Sequence, residues 1–183
     1  MKENIETICT LLKKAAEQDY IGEQVSQLEH ALQAAYFASQ DSPNKPELII
    51  ASLLHDIGHL VIDERTEYMD DLGVRYHEDT GALFLKKLGF KEEVCDLVES
   101  HVAAKRYLVS KHDSYRERLS DASRQTLEHQ GGFMSKEEVL EFERRSNFKD
   151  ALKVRHFDDA AKKLDFAVPD LEAYIPLLEQ MSQ

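Results

Sequence analysis

Thiolate ligands are scarce in this sequence. Its two cysteines, Cys9 and Cys95, form no metal-type spacing and suggest no disulfide framework. Any metal chemistry therefore falls to imidazole and carboxylate, which suit iron, manganese or zinc ions rather than an iron–sulfur cluster. Long apolar runs are missing as well. None approaches the roughly 20 residues of a membrane span, and no signal pattern opens the chain, so a soluble, cytoplasmic protein with no membrane partner is expected. Cations are outnumbered, with 23 Lys and Arg against 35 Asp and Glu, a net charge of −12 and a pI near 5.1. That balance argues against a sequence-independent DNA or RNA binder, whose affinity comes from cationic contacts to phosphates. A local group of basic residues can still hold one small anion. Strand-like alternation, hairpins, repeats and low-complexity tracts are also absent, which leaves an all-α chain as the expectation.

What is present is helical periodicity. At 183 residues and 42% hydrophobic, the chain is long enough for one well-buried core and too short for two comfortable domains. Ile5, Ile8, Leu11, Leu12 and Ala15 mark a first amphipathic helix, interrupted by Asp19-Tyr20-Ile21-Gly22-Glu23. Val25, Leu28, Leu32, Ala35 and Tyr36 mark a second, with Ser26 and Glu29 spaced as a capping box; a start nearer Gly22 is the alternative. Ser42 to Pro46 reads as a turn, and Pro46 suits the first turn of the helix that carries His55 and Asp56. Asp63 to Asp71 reads as a solvated acidic loop. His77 opens the next helix, which Gly89 ends. Val94, Leu97, Val98 and His101 then fall at helical spacing, so His101 faces inward with the core. Ser135 to Glu138 is a second capping box, opening a charged surface helix. Phe148 to Lys163 reads as a further helix with Arg155 and Asp158 three apart on one side, before a tail containing Pro169 and Pro176.

The stretch that organises the rest is Leu53-Leu54-His55-Asp56-Ile57-Gly58-His59, a His-Asp pair in a run apolar enough to be buried. On a helix His55 and Asp56 project roughly 100° apart, while His55 and His59 share a face. A carboxylate has two oxygens, so Asp56 can bridge two metal ions where a histidine binds one. Six candidate ligands arise from separate helices: His30, His55, Asp56, His77, His101 and Asp158. Facing helices in a bundle core are a recurring way to build a two-metal site. Taken singly, each candidate has an ordinary explanation. His101 would be a satisfied core residue, Lys105 and Arg155 surface charges, and Ser123 a routine helix residue. Glu23 would be an acid favoured at a helix N-terminus, and Tyr20 a half-buried aromatic. Their company alters that reading. His112, His129 and His156 remain surface or structural residues.

The order His, His-Asp, His, His, Asp resembles the HD-domain superfamily of helical metal proteins, most of which are phosphohydrolases. Asp19 to Glu23, Gln27-Leu28-Glu29-His30, His101 to Ser110, Leu119 to Arg124 and Gln130-Gly131-Gly132 look like its oxygenase branch, specifically the phosphonate dioxygenases. The resemblance runs from about Leu12 to Asp165 and implies a single HD domain over 1–183, with a core at about 12–165 and a C-terminal helical tail. It implies a bundle around a dinuclear, mixed-valent iron centre (Fe2+/Fe3+). By position, His30, His55 and Asp158 would bind one iron, His77 and His101 the other, with Asp56 bridging. Tyr20 would occupy an iron position until substrate arrives, and Glu23 would move with it to meet the substrate's ammonium. Lys105, Ser123 and Arg155 match phosphonate-binding positions, and His59 belongs to the surround of the metals or to a phosphonate contact. A phosphonate dianion does need clustered cations and hydroxyls, which these residues supply.

The implied reaction consumes O2 and a 1-hydroxyphosphonate, 2-amino-1-hydroxyethylphosphonate being the expected substrate and glycine and phosphate the products. Glu23 favours a primary ammonium, whereas a quaternary one prefers an aromatic cage. The same chemistry on the N-trimethylated analogue, giving glycine betaine, or on hydroxymethylphosphonate stays open. So do an HD phosphohydrolase and a metal-binding regulatory domain. The sequence carries no reading of the oligomeric state.

Overall fold

Local signals start several helices where expected. The Ser26 side chain accepts from the Glu29 N–H at 3.2 Å and the Glu29 carboxylate accepts from the Ser26 N–H at 2.7 Å, so a complete capping box opens α2 (Gln27–Asp41). Ser135 and Glu138 repeat it for α8 (Lys136–Glu143). Pro46 stands in the first turn of α3 (Pro46–Leu54). This computed structural model describes residues 2–17, 20 and 23–182; Asp19, Ile21 and Gly22 of the predicted interruption lie outside the described residues. The other helices are α1 (Glu3–Lys14), α4 (His77–Lys87), α5 (Glu92–Lys111), α6 (Asp113–Arg118), α7 (Asp121–His129), α9 (Phe148–Ala160) and α10 (Ile175–Met181). Among the described residues no strand is present, as the periodicity required.

The central helix is α5, with α3, α4 and α9 against it and α2 laid across α3 and α9. Leu97 and Val98 of α5 meet a core shared with Leu48, Ile50 and Leu54 of α3, Leu85 of α4, and Val154 and Phe157 of α9. On α2 the buried positions are mostly small, Ala34, Ala35 and Ala38 being wholly inaccessible. Small side chains there let α3 and α9 approach closely enough for ligands on three helices to meet. Truncating a buried leucine such as Leu54 to alanine costs about 2–5 kcal/mol in a core of this kind. Asn4 ties the chain ends, its side-chain amide donating to the Leu88 carbonyl at 2.8 Å and to Ser182 Oγ at 2.7 Å.

Two helix ends depart from the sequence reading. The helix expected to carry His55, Asp56 and His59 stops at Leu54; His55 keeps helical angles, Asp56 leaves them, and a 3-10 turn follows over Ile57–Leu60. The cause is long-range. A Cβ on Gly58 would stand 1.9 Å from the His77 carbonyl oxygen, so the chain at Gly58 is pressed against the start of α4. His55 and His59 consequently fall on different sides of Asp56 rather than on one face. The second departure is α9, which ends at Ala160 rather than Lys163. His77 opens α4 and Gly89, at φ 79°, follows its end as expected. Asp63 to Asp71 is a largely exposed loop, anchored by the buried Met69.

Candidate metal centre

The break after His55 puts the Asp56 carboxylate between two pairs of rings. His30 Nε2 lies 3.6 Å and His55 Nε2 3.4 Å from Asp56 Oδ2. His77 Nε2 lies 3.4 Å and His101 Nε2 3.5 Å from Asp56 Oδ1. Asp158, one turn from the end of α9, adds Oδ1 to the first pair, 3.5 Å from His30 Nε2 and 3.9 Å from His55 Nε2. Two triads result, His30–His55–Asp158 and Asp56–His77–His101, each with ligand atoms within 4.8 Å of one another. The four histidines and Asp158 are all buried.

The second nitrogen of every ring is committed. Nδ1 bonds to a main-chain carbonyl in each case: His30 to Ala161 at 2.9 Å, His55 to Ser52 at 2.9 Å, His77 to Val74 at 3.2 Å and His101 to Val98 at 2.6 Å. Only N–H can donate to a carbonyl, so in the neutral imidazole each Nε2 is left with a bare lone pair, the tautomer that binds metal. His30 and His55 then present two lone pairs to each other at 3.1 Å, and so do His77 and His101. Facing acceptors repel unless a cation lies between them. Asp158 Oδ1, buried and without a hydrogen-bond donor, calls for the same thing. This donor set fits two N/O-ligated metal ions. Burial, then the neighbouring His55, holds the His30 imidazole down to about 4, so it is neutral near pH 7.

Beside the first triad lies a cationic cluster. Arg155 donates through Nη1 to Asp158 Oδ2 at 2.7 Å, through Nε to the Tyr115 hydroxyl at 2.9 Å, and through Nη2 to Ser123 Oγ at 3.4 Å and to Asp159. Four of its five N–H groups are thereby aimed at described residues, and one on Nη1 is left for a ligand. Lys105, one turn after His101 on α5, is buried and donates to Thr126 Oγ1 at 2.9 Å. Burial, with Arg155 adding to it, brings its ammonium down to about 7. Tyr20 lies flat on His30, ring centroids 3.9 Å apart. Burial and then the carboxylates of Asp158 and Asp56 push its phenol well above the ordinary value. Glu23 hydrogen-bonds through its N–H to the Tyr20 carbonyl at 2.8 Å, and its carboxylate meets Lys162 at 3.0 Å. His59 is stacked on His77 at 4.0 Å and accepts the Val74 N–H on Nδ1 at 3.0 Å. It therefore stands on the second triad's side, not among Lys105, Ser123 and Arg155.

All six candidate ligands thus meet, as do Ser123 and Arg155, with Lys105 joined to Ser123 through Thr126. His112 and His156 are exposed and His129 half-buried. Sequence reasoning passed over Thr126, Tyr115, Asp159, Lys162 and Gly58. Thr126 had a signal, standing one helical turn from Ser123. Lys162 also had one, standing four residues after Asp158 and seven after Arg155, on the same face of the helix expected through Lys163.

The HD-domain family pattern matches residues 27–167, and the chain belongs to that family. Within it, the chain is similar to 1-hydroxy-2-(trimethylamino)ethylphosphonate dioxygenase (glycine-betaine-forming) of Leisingera caerulea, 41% identical over 177 residues, covering 97% of this chain and 89% of that protein. It is also similar to hydroxymethylphosphonate dioxygenase of Gimesia maris, 43% identical over 158 residues, 86% of this chain and 78% of that one. No helix among the described residues is long and apolar enough to cross a membrane.

Proposed function

We propose that the protein is an O2-dependent dioxygenase that cleaves the carbon–phosphorus bond of a 1-hydroxyphosphonate. Its preferred substrate on this reading is 2-amino-1-hydroxyethylphosphonate, converted to glycine and phosphate. The class, a phosphonate dioxygenase, rests on the two relatives that carry such names. The observation that carries the reading is the direct link between the two halves of the site: one oxygen of Asp158 faces the first triad while the other is bound to Arg155 of the cationic cluster. A phosphonate held by Arg155 is then held beside the metals.

His30, His55 and Asp158 would hold one iron and His77 and His101 the other, with Asp56 shared between them. When bound, a redox-active iron pair supplies the O2 activation and electron transfer that this oxidation needs and that redox-inert zinc lacks. The chain's own residues do the rest. Lys105, Arg155 and the hydroxyls of Ser123 and Thr126 bind the phosphonate oxygens, the planar guanidinium fixing orientation. Tyr20 covers His30 and excludes water from the first triad until substrate displaces it. Glu23 receives the substrate's ammonium. His59, with Nδ1 accepting from Val74, carries its proton on Nε2 and donates from the second triad's side.

A second substrate, hydroxymethylphosphonate, is supported by the Lys162 ammonium that already faces Glu23. The N-trimethylated analogue draws less support, since the aromatic ring beside Glu23 is Tyr20, which has His30 stacked on one face and the Lys162 ammonium 5.6 Å from its centre. Oxygen uptake and phosphate release with each of the three compounds test this. Stoichiometric O2 consumption is expected. Phosphate release from phosphate esters without oxygen would favour a phosphohydrolase, and ligand binding with no product under air a regulatory domain.

A further inference from the structure

Glu23 is not free to meet a substrate cation, because Lys162 is already there. Its Nζ stands 3.0 Å from Glu23 Oε1, with the two side chains only 15% and 17% exposed. The same nitrogen lies 3.4 Å from Ser120 Oγ and 5.6 Å from the centre of the Tyr20 ring. The Glu23 N–H donates to the Tyr20 carbonyl at 2.8 Å, and Tyr20 lies on His30. One lysine therefore holds Glu23, and through it Tyr20, which lies over the first triad.

The mount of this lysine is rigid. The Ala161 carbonyl accepts from His30 Nδ1 at 2.9 Å. On the other side, the Gln33 side chain both donates to the Lys163 carbonyl at 2.8 Å and accepts its N–H at 3.0 Å. The backbone at Lys162 is thus pinned at both neighbours, while its four-carbon stem keeps its rotamers. It also lines a surface cleft of about 390 Å³, with Arg118, Ser120, His156 and Asp159. A lysine leaving Glu23 has that cleft to swing into.

We infer that Lys162 is a selectivity latch: its ammonium stands in at Glu23 for the ammonium of an aminated substrate, and binding of that substrate exchanges one cation for the other. This rests on the reading of Glu23 as the residue that meets the substrate's amine. One carboxylate in a partly buried place holds two cations poorly, so the exchange subtracts from the affinity of every cationic substrate. A substrate with an uncharged tail leaves the latch in place and is unaffected. Lys162 is on this account a positioning residue that acts through Glu23 and Tyr20.

The test is calorimetric titration of the iron-loaded protein with 2-aminoethylphosphonate and with propylphosphonate, which match in length and differ by ammonium against methyl. Lys162→Met, which keeps the stem and removes the charge, is expected to raise the preference for the amine over the methyl tail by about tenfold, the size of a charged hydrogen bond. Lys162→Arg should return the preference to the parent's value. Lys162→Gln serves the same purpose if the methionine variant does not fold. An unchanged or lowered preference in the neutral variants overturns the latch while leaving the phosphonate reading intact. Failure of the parent protein to bind either phosphonate overturns both.

Discussion

On one side of Asp56, His30 and His55 share their half of the centre with Asp158, whose outer oxygen is bound to Arg155. On the other side, among the described residues, His77 and His101 have no second carboxylate facing their Nε2 atoms, Glu78 reaching only Nδ1 of His77 at 3.5 Å, and His59 lies stacked on His77. The imidazoles of both halves are oriented identically, through carbonyls of their own backbone neighbourhood or of Ala161. The difference lies in what surrounds them. The first half offers four protein ligand atoms, is covered by Tyr20 and is coupled to the cationic cluster. The second offers three, and so leaves more positions to molecules from solution, as catalytic sites with an open position do. Ligand atoms divide four to three between the halves, whereas the cationic cluster stands on one side alone.

Substitutions can break this comparison. Asp56→Ala removes the one group common to both halves. It should cost both metals and lower turnover by well over 100-fold, more than loss of an outer-shell group does. His77→Ala should empty the second half alone, and metal content measured on the two variants separates the cases. Gly58→Ala forces a methyl toward the His77 carbonyl, 1.9 Å away in the present geometry, so backbone must move. About 3 kcal/mol of destabilisation is expected, a fall of roughly 6–12 °C in Tm for a chain of this length, with metal lost from the second half first. Arg155→Lys keeps the charge and loses the fork. It should raise KM for the phosphonate by about 10–100-fold, the worth of one charged hydrogen bond, while the His77 half keeps its metal.

The smallest effect is in pH. Lys105 is a cation below about 7 and neutral above it in the free protein. Phosphonate kcat/KM is therefore expected to fall as pH rises through about 7. Stability should move oppositely. The unfolded chain keeps that proton up to about its ordinary 10.5 and the folded chain does not, so this residue's contribution rises with pH across that interval. Lys105→Met should flatten both trends, which paired pH profiles of activity and Tm will reveal.

Much of this was legible in the sequence because it is periodic. His101 shares its helical face with Val94, Leu97 and Val98, and all four are buried. Arg155 and Asp158 sit three apart and bond at 2.7 Å. Both capping boxes are local and both form. What could not be read depends on groups distant in the chain. The end of α3 follows from Gly58 meeting His77, and with it the separation of His55 from His59. Beyond the early end of α9, the Ala161 carbonyl serves His30. Lys162 escaped notice for the same reason, since its meaning comes from Glu23, far away in sequence. Tyr115 and Asp159 gain significance only through Arg155.

The central claim is that one carboxylate joins two redox-active ions in this chain. Iron quantification with Mössbauer spectroscopy on anaerobically purified protein, before and after addition of the 1-hydroxyphosphonate, tests it most directly. Two irons per chain are predicted, magnetically coupled to each other, with the spectrum changing when the phosphonate is added. A single ion per chain, a redox-inert metal, or a spectrum indifferent to the phosphonate would contradict the account.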